Sequence, residues 1–388
     1  MKDEQKILQL EEKTRQQVEI FTQANLPTRL DTECLEMTKT WSKTGLLKKL
    51  DDWYVLSRMA ILLENQRLIN EQCVNPKPQD PGYSECYAVA KRCSIPTVRR
   101  MYDPSRFIGW DIVSVQPLLG PAGYVRFLSW EDDWTAHAKS LGLLEEQDKL
   151  VEEVGKEVKG KWRYLQGKKC ELKLVNEDVA AKTRKLKSCY QYNQDLRQQR
   201  ALEYEVDMVA DISFDIAGEL SREILTDIRN NVGTLSTYGY SNNAEFYDKV
   251  CVVAEAIEKK IGEYPNWIVT SPKIGALLRE VGFEEAESIS KREGRPFLGK
   301  LGVLKKQFTL YEDDLFPKDN LIMGYKNPDN PYHAGYHYCP YVPLSMIEVM
   351  ACGDGCCWKP GLVTRYAKKL LRCGSKYYGK MVVNGLPE

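Results

Sequence analysis

An α+β fold is predicted by three features of the sequence. Leu202, Val206, Val209, Ile212, Ile216, Leu220, Ile224 and Ile228 recur at spacings of three and four, the period of one helical face. Residues 243–281 read as helix, strand and helix in succession. Between Lys300 and Tyr341, short strand-like runs alternate with turn residues, and a further run follows at Leu362–Tyr366.

Taken in order, the first hundred residues read as helices joined by polar turns. Trp53, Leu56, Met59, Ala60, Leu63 and Ile69 recur mostly at three and four, so residues 52–71 are expected to form a helix with one face that needs a partner surface. NPKPQDPG, at residues 75–82, carries Pro76, Pro78 and Pro81. Each removes a donor and disfavours helix before it, which predicts an extended connector. DIVSVQPLL from Asp111 reads as a strand, as does Gly123–Trp130, with Gly120-Pro121-Ala122-Gly123 as the turn between them. The 202–228 helix starts among Glu203, Glu205, Asp207 and Asp211 and ends near Arg222 and Arg229, charges that suit its dipole. It would run about 40 Å, with Gly233 as its stop. The next helix has Phe246, Val250, Val253, Ile257 and Ile261 on one side, with Asn243 as expected cap and Gly262 as stop. WIVTSP follows as a strand, and Pro272 can open a helix through Val281. Lys300–Leu310, Asn320–Tyr325 and Gly335–Tyr341 are expected strands.

Composition narrows the function. With 388 residues, 43% hydrophobic and 28% charged, the chain has the balance of a folded soluble protein. Lys plus Arg equals Asp plus Glu at 55 each, so no global field draws nucleic acid or an anionic membrane. No signal-like core opens the sequence and no run of 18 apolar residues occurs, which predicts a chain made inside the cell. The twelve cysteines lack a repeating spacing and are expected to be reduced and mostly buried. The charge is local. Trp130–Glu153 is acidic and Gly155–Ser188 is basic, so the two blocks could pair within one excursion or across subunits, or simply face solvent.

Nothing in the pattern points to catalysis. There is no GxxxxGK[ST] loop, no strand-linked GxGxxG and no GxSxG elbow. The three histidines are His137, His333 and His337, few for acid–base work. The best metal candidate is His333, His337 and Cys339, with Cys352, Cys356 and Cys357, but the paired CxxC spacing of structural zinc sites is missing. Contact residues are the preferred reading, and no cofactor or metal is expected. Glu131–Asp133 and Glu312–Asp314 lack calcium-loop spacing and read as solvated turns.

Residues 325–344, YKNPDNPYHAGYHYCPYVPL, are dense in Tyr, Pro and Gly, a composition suited to touching other proteins. This stretch resembles the major capsid proteins of T-even-type tailed bacteriophages. The resemblance rests on Gly324-Tyr325-Lys326, Ala334-Gly335 and Tyr338–Leu344. It resumes in KPGLVTRY at Lys359–Tyr366 and appears upstream in IPTVRRMYDPSRFIGWDIVSVQPLLGPAGYVRFL at Ile95–Leu128. The matches keep one order, and they are weakest at about 130–180 and 283–300.

The resemblance implies the tailed-phage and herpesvirus capsid fold: an N-terminal arm at 1–105, first strands of a peripheral domain at 106–127, and an extended loop at 128–190. The peripheral domain would resume with its spine helix at 191–242, an axial domain would fill 243–360, and a return strand with the C-terminus 361–388. The implied function is a shell subunit of hexamers and pentamers that encloses double-stranded DNA without reading its sequence. Vertex, decoration, scaffolding and portal proteins are the implied partners, and the place is the virion capsid, assembled in the host cytoplasm. A cellular nanocompartment shell and an intracellular metal-dependent enzyme are the alternatives. Expected contact residues are Tyr325, Tyr336, Tyr338, Tyr341 and Arg365, with Arg99 and Arg100 at the arm-to-body junction. Lys182, Arg184, Lys185 and Lys187 are expected to dock on acidic surface of a neighbour.

Overall fold

A computed structural model describes residues 29–50, 52–72, 90–91, 93–130, 172–187, 201–285, 296–328, 330, 332–350 and 358–386. The proline connector at 75–82, the acidic block at 131–153 and the cysteines at 352–357 lie outside the described residues.

Helices α1 (Arg29–Lys43) and α2 (Trp53–Gln72) form a pair. Trp41 Nε1 donates to Glu64 Oε2 at 3.1 Å, and the turn between them is pinned by buried Leu47 and Leu50. A short β1 (Ala90–Lys91) leads to α3 (Ile95–Met101), whose first turn holds Pro96 and is capped by Ser94, its hydroxyl accepting from the Thr97 N–H. A single turn, α4 (Gly109–Ile112), precedes β2 (Ser114–Val115), β3 (Ala122–Trp130), β4 (Leu172–Ala180) and β5 (Lys182–Lys187). Then come α5 (Ala201–Asn231), β6 (Thr234–Gly239), α6 (Asn243–Ile261), β7 (Trp267–Thr270) and α7 (Pro272–Arg279). Strands β8 (Phe283–Glu285), β9 (Leu298–Leu304), β10 (Phe308–Asp313), β11 (Asn320–Gly324), β12 (Tyr336–Met350), β13 (Trp358–Leu370) and β14 (Tyr378–Asn384) complete the chain.

The strands make two main sheets. One has seven strands in the order β6-β14-β11-β7-β10-β9-β8, antiparallel except for β7–β10 and β6–β14. Helix α6 covers it with Phe246, Val250, Val253 and Ile257, all buried. The other sheet runs β1-β12-β13-β5, with β2 parallel on β12. Its long strand β12 slips register around Val342, where Pro340 and Pro343 bring no N–H. Helix α2 repairs that stretch: Asn65 donates to the carbonyls of Leu118 (2.8 Å) and Tyr341 (3.0 Å), and Gln66 accepts from the Leu344 N–H (3.1 Å).

Helix α5, 31 residues and about 46 Å long, is bonded to both sheets. Arg222 reaches Asp313 of β10 at 2.9 Å. One and five residues along, Lys368 of β13 bridges Glu223 and Asp227 at 2.6 Å each, while Tyr366 donates to Glu223 (2.6 Å) and Tyr336 to Asp227 (2.7 Å). A single apolar cluster runs from Trp41 through both sheets to Val383. Among the described residues no helix is long and apolar enough to cross a membrane.

Several expectations are corrected. Helix α2 has no single apolar face: Tyr54, Val55, Met59, Ala60, Ile61, Leu62, Leu63, Asn65 and Gln66 are all buried, because it lies between the α1 pair and β12. The strand expected from Asp111 is a helical turn followed by two strand residues. The α6 cap is Asn242, whose side chain accepts from the Glu245 N–H, whereas Asn243 bonds Tyr240 and Glu280. The single strand expected over 300–310 is a hairpin, turned at Lys305 and Lys306 with φ of 46° and 60°. Two lysines give no sequence sign of such a turn. Glu312 and Asp313 are not solvated: they are 1% and 3% exposed and face Arg279 and Arg222.

The expected boundaries also give way. The sheet of β12 takes strands from 90–91, 114–115, 182–187 and 358–370, so β12 does not belong with 243–360. Strands β6 and β14, expected in the other domain, lie side by side in the seven-stranded sheet. The expected arm over residues 1–105 does not reach away where it is described. Tyr54, Met59, Leu62, Val98, Met101 and Tyr102 are core residues of the chain's own body.

Candidate assembly surfaces

The Tyr-Pro stretch builds the interior. Tyr338 is fully buried on β12, its hydroxyl 3.0 Å from that of Tyr102 and its ring packed on Phe107 (5.3 Å) and Tyr366 (5.2 Å). Tyr336 is 1% exposed and donates to Asp227. Tyr325 is buried against the ring of His333 at 5.5 Å, and its N–H donates to the Tyr377 carbonyl. These three are therefore corrected from intersubunit contacts to core residues. Their composition is the same in either place, because a Tyr hydroxyl with a partner is as well satisfied inside a fold as at an interface. Tyr341 and Arg365 are half-buried together, the guanidinium 5.7 Å from the ring. Arg99 is committed within the chain, to the Leu46 carbonyl (3.0 Å) and Asp103 (2.6 Å), while Arg100 beside it is exposed.

The basic residues at 182–187 have a different position. Lys182 is exposed and opens β5, the outer strand of its sheet. Arg184, Lys185 and Lys187 stand on the same strand opposite Thr364, Val363 and Gly361 of β13. Among the described residues nothing pairs with the far edge of β5, which leaves a row of backbone donors and acceptors beside a basic sequence. Just before it, β3 and β4 form a two-stranded arm of nine residue pairs, Ala122↔Ala180 to Trp130↔Leu172, about 30 Å long. Among its described side chains the foot is packed: Val125, Phe127 and Val179 meet Leu118, Cys339, Ala367 and Leu371, and Glu177 pairs with Lys369. Leu119 and Tyr124, which the sequence reading passed over, stand 47% and 40% exposed at that foot. The Gly120-Pro121 turn between them was the available sign.

The titratable groups of the interior are sealed rather than poised. Burial pushes His337 down to about 3, and its Nδ1 lies 2.9 Å from the Gln116 amide. His333 is held between Tyr325 and Tyr377, and burial lowers its pKa. Lys326 is likewise lowered by burial, against the fields of Asp111 and Asp52; its ammonium donates to the Trp110 carbonyl and sits 4.9 Å from the Tyr54 ring. Among the described residues no three His, Cys, Asp or Glu side chains converge on a point where a metal could sit.

The sequence profile of one family, described as the major capsid protein Gp23, matches residues 135–384. The chain belongs to that family. It is a structural protein of the capsid, as its family is, and the matched span takes in β4 and β5, the long helix α5 and nearly all of both sheets. No curated protein matches the chain. Among solved structures it is similar to a virus-like particle from Pyrococcus furiosus (9% identity, TM-score 0.43, covering 74% of this chain and 96% of that one). It is similar too to a phage-related protein from Bordetella bronchiseptica RB50 (14% identity, TM-score 0.43, 75% and 97%). Mycobacterium phage Adephagia supplies a third (12% identity, TM-score 0.41, 80% and 96%).

Proposed function

We propose that many copies of this protein tile an icosahedral shell of hexamers and pentamers that encloses double-stranded DNA of a tailed phage, assembled in the host cytoplasm. The observation that carries this reading is the Gp23 family match across 135–384. The protein's neutral balance of 55 basic and 55 acidic residues supports a container that does not grip its DNA. The sheet of β12 and helix α5 would form the peripheral domain, the seven-stranded sheet the axial domain that meets its copies around the capsomer centre, and β3–β4 with the residues between them the extended loop.

In this reading the contacts come from the arm, the open β5 edge with Lys182, Arg184, Lys185 and Lys187, and exposed Arg100. Many modest interfaces would sum to a stable shell. Decoration, vertex, scaffolding and portal proteins would be accessory partners. Electron microscopy of the expressed protein, together with its scaffold where needed, tests the reading. Closed shells with sixfold and fivefold capsomers are expected, and nuclease-protected DNA in particles from infected cells. Shells filled with protein cargo would instead make it a nanocompartment, and a monodisperse monomer under all conditions would overturn it.

A further inference from the structure

Asn384 and Gly385 form the one Asn-Gly pair in the sequence, and it stands where β14 ends. Both residues are exposed. Asn384 is held by its backbone carbonyl, which accepts from the Tyr240 N–H at 2.8 Å, while its side-chain amide bonds nothing among the described residues. Gly385 has left the ladder. Its φ is 71°, its N–H donates to nothing among the described residues, and the place of a Cβ has no neighbour within 4 Å. With no Cβ of its own, its amide nitrogen lies open to the side chain that precedes it. Asn231, Asn242 and Asn266, by contrast, have side chains committed to backbone partners. A turn role accounts for Gly385. It leaves the free Asn384 amide beside an unhindered nitrogen without a use.

We propose that Asn384–Gly385 is a site of self-modification, at which Asn384 turns into aspartate and isoaspartate without an enzyme. The Gly385 nitrogen gives up its proton to solvent and attacks Cγ of Asn384, closing a cyclic imide as the Cγ–Nδ2 bond breaks and the amide leaves as ammonia. Water then opens the ring at either carbonyl. The sum is asparagine plus water going to a carboxylic acid plus ammonia, with no change of oxidation state. Opening at the backbone carbonyl joins Gly385 through Cγ and leaves a carboxylate where the Tyr240 N–H already donates, so that bond becomes charge-assisted. Either product adds a negative charge to a chain whose 55 basic residues balance 55 acidic ones. The charge falls beside Tyr240, whose hydroxyl donates to Asn243 at the start of α6. This goes beyond the shell reading and does not depend on it, because the reaction is intramolecular and can be followed on unassembled chains.

The test incubates the full-length protein over a range of neutral to mildly alkaline pH and follows each asparagine by peptide mass spectrometry, with isoaspartyl methyltransferase labelling to report the isoaspartate. Conversion at Asn384 should outrun that at every other asparagine by about tenfold or more, and should quicken as pH rises, since the attacking nitrogen must lose its proton. Gly385→Ala should slow it by a similar factor, because a Cβ then crowds that nitrogen. Should alanine at this φ disturb the fold, Asn384→Gln gives the same reading, its longer side chain closing a less favourable ring. Conversion that occurs only after unfolding in urea would show that the end of β14 locks Asn384 in place, and a rate no faster than at other asparagines would remove the site's distinction. Either result overturns the proposal.

Discussion

The β12–β13 pair and the β3–β4 pair are both long antiparallel ladders, yet they are held to the rest of the chain in different ways. β12–β13 is covered by α2 and tied to α5 by Lys368, Glu223, Asp227, Tyr336 and Tyr366. Among the described side chains of β3–β4, Val125, Phe127 and Val179 pack at its foot, and two strands alone are marginal in water. The first is tied to α5 as the chain's frame, and the second joins that frame at its foot.

Two glycines separate the ladders most sharply. Beside the start of β12, a Cβ on Gly374 would strike the carbonyl of Gly335, backbone against backbone, with nothing flexible to give way. Gly374→Ala is expected to cost about 4 kcal/mol or more, read as a lowered denaturant midpoint. On β3, a Cβ on Gly123 would meet only the Leu118 methyl at 3.1 Å, so Gly123→Ala should change stability by less than about 1 kcal/mol. Equal effects would break the comparison.

His337 sits where the ladders touch, its ring 6.2 Å from Phe127 of β3. Its folded pKa, about 3, lies below the ordinary 6.5, so the unfolded chain takes up a proton that the folded chain refuses. The stability it lends is complete above pH 6.5 and is lost as the pH falls towards 3, by about 3 kcal/mol at pH 4. His337→Gln, which keeps a polar group near Gln116, should flatten the stability profile between pH 6.5 and 4. An unchanged profile would mean that protons enter elsewhere first.

Smaller still is Tyr336→Phe, which keeps the ring in the core and removes one bond to Asp227. The carboxylate retains Lys368, so a loss of about 1 kcal/mol is expected in equilibrium unfolding. A loss several times larger would show that the hydroxyl, rather than the ion pair, fastens α5 to the frame.

The sequence showed the frame's elements better than their use. The three-and-four spacing of Leu202–Ile228 and the Gly262 stop correspond to α5 and the end of α6, because helix period and glycine conformation are local properties. The capsid family was legible in the ordered motifs around Ala334-Gly335 and Tyr338–Leu344, and the Gly335–Gly374 contact gives one of those motifs a steric reason. What Tyr325, Tyr336 and Tyr338 do was not legible. Burial depends on which distant element arrives above a strand, here Tyr102 from 236 residues away and Asp227 from 109. The Lys305-Lys306 turn was hidden for another reason: two residues without turn propensity are held at positive φ by the hairpin around them.

The last prediction concerns the open edge, where the expected change in the isolated chain is smallest. Lys182, Arg184, Lys185 and Lys187 lie on β5, whose inner side is paired with β13 through the backbone, so converting all four to Gln leaves that ladder intact. The unfolding midpoint of the unassembled chain should stay where it is. Assembly should respond instead. If the basic edge meets acidic surface on a neighbour, raising ionic strength slows shell formation by the wild type, and the four-fold variant loses that salt dependence. Light scattering during assembly at several salt concentrations reads both quantities. Identical curves for the two proteins would leave the edge as solvated charge and shift the burden of contact to the arm and its foot, whereas a lowered midpoint would place β5 with the frame and erase the distinction between the ladders at that strand.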